Sequence, residues 1–243
     1  MTTADQRTAD ARAEHAFAPG PREIASRAVI TALAGRFIVF EGPDGSGKST
    51  QFRRLAELCQ AFALPTTIVR EPGGTATGEA IRHVLLDRAN TGMNLRCEML
   101  LYMASRAELV SQIITPALRA NHLVLADRFV SSTMAYQGAA GGLPASEIAA
   151  VARVATGNLM PDLVLLFDLD QEAASKRLSP LLDRMEAKGA AFHKRVRQGY
   201  LDQAKADPGR YAVIDASREV NDVWSSLLST LDERVPRLQP KLG

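Results

Sequence analysis

Gly42-Pro43-Asp44-Gly45-Ser46-Gly47-Lys48-Ser49 decides the reading of this chain. The stretch satisfies G-x-x-x-x-G-K-[ST], a loop that cradles phosphate, and Thr50 follows it. Glycines let the backbone curl until successive N–H groups point inward at phosphate oxygens. Lys48 supplies a point charge for the β and γ phosphates, and Ser49 offers a hydroxyl to Mg²⁺. The flanks agree. Phe37 to Phe40 form a continuous apolar run, as in a parallel strand buried on both faces. After the loop, Phe52, Leu55, Ala56, Leu58, Cys59 and Phe62 recur at helical spacing. Strand, loop and helix in that order place a bound phosphate at a helix N-terminus. A glycine-rich turn without a ligand explains neither flank.

The same alternation continues to the end of the chain. Thr66–Arg70, Leu123–Ala126, Leu163–Phe167 and Tyr211–Ile214 read as further strands, the last three followed by Asp127, Asp168 and Asp215. Segments between them carry helical periods. The expectation is a three-layer α/β fold, a five-stranded parallel sheet with helices on both faces. Ligands of such sheets bind beyond the strands' carboxyl ends.

Bulk properties narrow the function. Of 243 residues, 46% are hydrophobic and 23% charged, with a formal charge of +2. One sizeable core is expected, and the near balance of charge gives no reason to expect a nucleic-acid polymer or a membrane surface as partner. Two cysteines, Cys59 and Cys97, fit a reducing cytoplasm. The four histidines have no metal-ligand spacing. Residues 1–34 are alanine-rich, lack a sustained period and are interrupted by Pro19-Gly20-Pro21. They read as a mostly disordered extension with a short helix from Glu23 to Ala34. A domain over 35–236 and a tail over 237–243 follow.

Chemistry concentrates at the strand ends. Asp127 stands where such proteins place the acid that binds Mg²⁺, with a helix or turn cap as the bland alternative. Arg128 beside it suits bidentate phosphate recognition, against a plain surface ion pair. In Arg70-Glu71-Pro72-Gly73-Gly74-Thr75 the proline holds Glu71 extended and the glycines permit close backbone approach. Tyr102 and Arg106 are four apart on one helix face. A ring can stack on a base and a guanidinium can donate to its edge, although for the pair taken alone packing plus a surface charge is the favoured reading.

Phe40 to Thr50, Arg70 to Thr75, and Asp127-Arg128-Phe129-Val130-Ser131-Ser132-Thr133-Met134-Ala135-Tyr136-Gln137-Gly138 together resemble the three signatures of the bacterial thymidylate kinase family. Asp183-Arg184-Met185-Glu186 and Val213-Ile214-Asp215-Ala216 match in order and spacing, and the likeness runs from about Arg36 to Leu231. The resemblance implies a P-loop NTPase fold, a homodimer, and transfer of the γ-phosphoryl group of ATP to dTMP with Mg²⁺, a step toward dTTP. By resemblance Gly42 to Thr50 bind ATP, and Ser49 and Asp127 hold the metal. Asp44 approaches the acceptor's sugar and phosphate, Arg128 binds the dTMP phosphate, and Arg70 and Pro72 shape that side. Tyr102 stands where a phenylalanine usually stacks on thymine, Arg106 reaches the base edge, and Ser132, Tyr136 and Gln137 line the pocket.

Two departures bear on the mechanism. The lid, about 178–184, is about two residues shorter than in relatives, and Arg177 and Arg184 are its guanidinium donors. Relatives with few lid arginines carry one inside the phosphate loop, where this chain has Gly45 and Ser46. Arg184, then Arg177, is expected to neutralise the transferring charge. Ala139-Ala140-Gly141-Gly142 also lacks an arginine that relatives often carry there. The alternatives are a kinase for another nucleoside monophosphate and a nucleotide-binding relative that has lost transfer activity.

Overall fold

Four of the five apolar runs end in an acid, and each run forms a strand whose carboxyl end lies at one edge of a single sheet. The computed structural model describes residues 17–175 and 184–238. Residues 1–16, 239–243 and most of the lid, Arg177 included, lie outside the described residues. In chain order the elements are α1 (Pro21–Ala25), α2 (Arg27–Thr31), β1 (Phe37–Glu41), α3 (Lys48–Ala61), β2 (Thr66–Arg70), α4 (Ala76–Leu86) and α5 (Leu95–Leu109). There follow α6 (Thr115–Arg119), β3 (Leu123–Asp127), α7 (Val130–Thr133), α8 (Ala145–Thr156), β4 (Leu163–Asp168) and α9 (Gln171–Ser175). The chain continues through α10 (Ala190–Ala206), β5 (Tyr211–Asp215) and α11 (Val220–Arg234). Wider, π-type turns continue α5 over Val110–Ile114 and α7 over Met134–Ala140.

The sheet is parallel throughout, in the order β2-β3-β1-β4-β5. Parallel neighbours need crossover connections, which the intervening helices supply. β1 is central, between β3 and β4, so the loop that leaves it opens at the point where the strand order reverses. Register aligns Phe40 and Arg70 with Asp127, and Asp168 with Asp215. The charged strand ends therefore share one edge.

Side chains alternate between the two faces. Ile38 and Phe40 of β1 join Leu55 and Leu58 of α3 and Leu227 and Leu231 of α11. Phe37 and Val39 face the other way, toward Met99 and Met103 of α5 and Ile148 of α8. A third cluster gathers Tyr136, Met185, Val196 and Tyr200 beside the site.

The N-terminal segment differs from the sequence expectation. From Phe17 onward it is docked, not loose. Two short helices, α1 and α2, replace the one helix expected over Glu23 to Ala34. Ile30 and Leu33 are fully buried in the core beside α11. Glu23 accepts a hydrogen bond from Trp224 Nε1 at 2.7 Å, and Arg22 donates to Ser229 Oγ at 2.6 Å. The local sequence is alanine-rich and shows no sustained apolar period. Order comes from the α11 surface that it covers.

Candidate active site

β1 delivers the phosphate loop, and the loop leads into α3, whose first residues are Lys48 and Ser49. Gly45 has a φ of +81°, and a Cβ there would sit 2.5 Å from the Ala174 carbonyl oxygen of α9. Position 45 thus accepts no side chain, which explains in packing terms why this loop carries no arginine there. The Ser46 hydroxyl is buried and has no hydrogen-bond partner. A buried polar atom of this kind is uncommon and fits a loop built around an anionic ligand.

Pro43 to Thr50 line a hollow of about 260 Å³. A neighbouring cavity of about 290 Å³ is lined by Asp44, Lys48 and Ser49 together with Arg70, Pro72, Tyr102, Asp127, Arg128, Ser132, Tyr136 and Gln137. Asp44, Lys48 and Ser49 belong to both. The structure therefore brings together most of the residues expected from the sequence. Arg82, Leu86, Thr133 and Met185 also line the cavity and were not expected.

Lys48 and Arg128 of the cavity are held by carboxylates. Lys48 Nζ donates to Asp127 Oδ1 at 2.6 Å. Arg128 Nη2 donates to Asp44 Oδ1 at 2.5 Å, and its Nη1 donates to Ser132 Oγ and to the Tyr200 hydroxyl. Tyr136 donates to the second Asp44 oxygen at 3.0 Å. Burial works to raise the Asp44 carboxyl, but Arg128, Lys48 and the Tyr136 hydrogen bond outweigh it and hold Asp44 below its ordinary range. Arg128 has a φ of +73°. That region costs a non-glycine residue about 1–3 kcal/mol, and such strain clusters at functional sites.

Glu41 is what holds that strained turn. It is fully buried at the end of β1. Its oxygens accept from the backbone N–H groups of Phe129 and Ser132, from Ser132 Oγ at 2.7 Å and from the Tyr200 hydroxyl at 2.9 Å. Burial keeps the Glu41 carboxyl above its ordinary range despite the opposing pull of Arg128 and these donors. Its sequence signal was a lone acid closing a buried apolar run. Tyr200 comes from α10 and gave no such signal.

Two expected site residues are placed differently. Arg106 lies behind the cavity wall, 1% exposed. Its Nε and Nη2 donate to Glu71, Nη2 also to the Phe129 carbonyl, and Nη1 to Met103 Sδ and Thr133 Oγ1. These contacts engage every donor of a guanidinium. Arg106 thus braces Glu71, Thr133 and Phe129 and is not turned toward a base edge. Burial pushes Glu71 up to about 7, against the pull of Arg106. Arg184 is also buried. It donates from Nη1 to Glu98 at 2.6 Å and from Nε to the Leu85 carbonyl at 2.6 Å. It anchors the end of the lid between α4 and α5 and does not line the cavity. The local reason is Glu98, an acid on α5 that needs a cation once buried.

The donor chemistry suits a small hard cation. Ser49 and Asp127 present oxygen ligands to the same cavity. Among the described residues no three His, Cys, Asp or Glu side chains form a closed metal cage. Mg²⁺ in such sites keeps waters and uses one or two protein oxygens plus phosphates. No helix of the described residues is long and apolar enough to cross a membrane.

The chain is similar to known proteins over most of its length. A family model described as thymidylate kinase matches residues 40–227. The thymidylate kinase of Symbiobacterium thermophilum is 46% identical over 202 residues, spanning 83% of this chain and 94% of that protein. That of Pseudomonas syringae pv. tomato is 43% identical over 203 residues, spanning 83% and 97%. The crystal structure of thymidylate kinase from Ehrlichia chaffeensis matches with a TM-score of 0.69 at 32% identity, covering 82% of this chain and 99% of that one. With a family model matched over residues 40–227 and relatives above 40% identical across most of both chains, the chain belongs to the thymidylate kinase family.

Proposed function

We propose that the protein transfers the γ-phosphoryl group of ATP to dTMP, giving ADP and dTDP. One observation carries the reading: the hollow of the phosphate loop and the adjoining cavity share Asp44, Lys48 and Ser49. A donor phosphate over the loop and an acceptor phosphate in the cavity then meet at those residues. Phosphoryl transfer asks the protein for positioning and charge neutralisation more than for covalent chemistry.

The geometry supports the following roles. Backbone N–H groups of Gly45 to Ser49 and Lys48 Nζ hold the donor phosphates, with Lys48 moving from Asp127 to phosphate. Arg128, held in place by Ser132 and Tyr200, exchanges Asp44 for the acceptor phosphate. Arg70 and Arg82 add positive charge to the same cavity. Tyr102 offers a ring for the base, and Tyr136 with Asp44 faces the sugar. Ser49 and Asp127 would hold Mg²⁺, which would neutralise phosphate charge there. Arg184 is engaged by Glu98, so we assign the lid's charge-neutralising role to Arg177. Exposed Val84 of α4 and Leu100 of α5 mark the surface on which we place a homodimer contact. The free cysteines Cys59 and Cys97 fit a cytoplasmic setting.

The test is a panel of nucleoside monophosphates with ATP and Mg²⁺, read as nucleoside diphosphate formed. dTMP is expected to give the highest kcat/KM. Preference for another monophosphate moves the substrate assignment, and binding of ATP without turnover of any of them sinks the kinase reading.

A further inference from the structure

Glu98 takes no part in the phosphate chemistry, yet it is 1% exposed and beside the cavity. Gln137 Nε2 donates to its Oε1 at 2.8 Å, and Arg184 Nη1 donates to its Oε2 at 2.6 Å. Lys188 Nζ lies 3.3 Å from both oxygens. Burial works to raise the Glu98 carboxyl, but Gln137, Lys188 and Arg184 outweigh it and keep it below its ordinary range. Glu98 is therefore an ionised carboxylate, and such a group only accepts hydrogen bonds.

That constraint passes to Gln137. The two ends of a glutamine amide have nearly the same shape, so hydrogen-bond partners decide which way it faces. Facing an acceptor-only group, Gln137 turns its NH₂ to Glu98. Its carbonyl Oε1 is then the amide end left for the cavity that Gln137 lines.

We propose that Glu98 is a specificity-determining positioning residue: by fixing the Gln137 amide it makes the cavity present an acceptor oxygen, which selects a pyrimidine with a ring imide N–H over one with a bare ring nitrogen. The inference rests on the reading that this cavity receives the base of dTMP. Thymine carries an N–H at the imide position, whereas cytosine has an unprotonated nitrogen there. A carbonyl oxygen set against that nitrogen leaves two buried acceptors facing each other, and sites built on such hydrogen bonds discriminate strongly. Arg184 and Lys188 hold Glu98 from the other side, so the carboxylate cannot rotate toward the base.

The experiment compares kcat/KM for dTMP and dCMP in wild type, E98Q, Q137A and the double variant. The amide that E98Q introduces can donate or accept, which frees Gln137 to flip. The dTMP-to-dCMP ratio is expected to fall at least about tenfold in E98Q, mainly through the KM for dTMP. It should fall similarly in Q137A, with no further fall in the double variant. A merely structural role slows both substrates alike and leaves the ratio unchanged, and that result overturns the inference. Wild type that is not selective for dTMP overturns the acceptor reading itself, a distinguishable failure. A second measurement needs no change at position 98. The Gln137 side-chain amide protons, assigned by their loss in Q137A, are expected to stay protected from exchange when dTMP is added. Loss of that protection on dTMP binding overturns the inference.

Discussion

At the scale of single residues, Arg184 is defined by what holds it. Arg184 is buried against Glu98, with Leu85 as a second partner. Truncating it leaves a buried acid with Lys188 and Gln137 as remaining partners. Orphaning a buried charge costs about 3–5 kcal/mol, and the surviving partners reduce that to about 2–3 kcal/mol for Arg184→Ala. Urea denaturation should show this loss while kcat of the folded variant stays within about threefold of wild type. Arg177→Ala should do the reverse, lowering kcat at least about a hundredfold at unchanged stability. A collapse of kcat in Arg184→Ala without a loss of stability returns the catalytic role to Arg184.

At the scale of elements, α1 and α2 belong to the folded unit. Ile30 and Leu33 each bury a full side chain, worth about 1.5–3 kcal/mol apiece. Deleting residues 1–34 is therefore expected to lower the unfolding free energy by about 3–5 kcal/mol, read from the urea midpoint. A midpoint equal to that of the full chain contradicts the docking of this segment. The five strands were legible because each is an apolar run bounded by a charge. The two N-terminal helices were not, because their order depends on α11, some two hundred positions away. The cavity was legible in the same uneven way. Lys48, Ser49, Asp127 and Arg128 sit at strand ends or helix starts that local patterns mark. Glu98 lies four before Tyr102 as Tyr102 lies four before Arg106, so helical spacing could have found it. Spacing places a side chain on a face but does not say which neighbour claims it. For that reason Arg106 was expected in the cavity and stands behind it, paired with Glu71 of its wall.

At the scale of the whole molecule, the exposed apolar residues of α4 and α5 are candidates for contact between two copies. Val84 is 44% and Leu100 52% exposed. Sedimentation is expected to show a dimer for wild type and a monomer for Leu100→Glu, since a charge in an apolar contact must be desolvated. A wild-type monomer at micromolar concentration removes the proposal.

The close approach of Gly45 to the Ala174 carbonyl has a consequence for how the family can diversify. Transferring the guanidinium from lid to loop is not a one-letter change in this chain, because the backbone of α9 occupies the position where the new side chain would begin. The first step on that route strains the loop before any charge arrives to compensate. Both ends of the exchange must change together, or the helix that roots the lid must first shift. This contact sets this chain against moving the proposed lid arginine into the loop, and laboratory evolution of such a variant would have to start from α9.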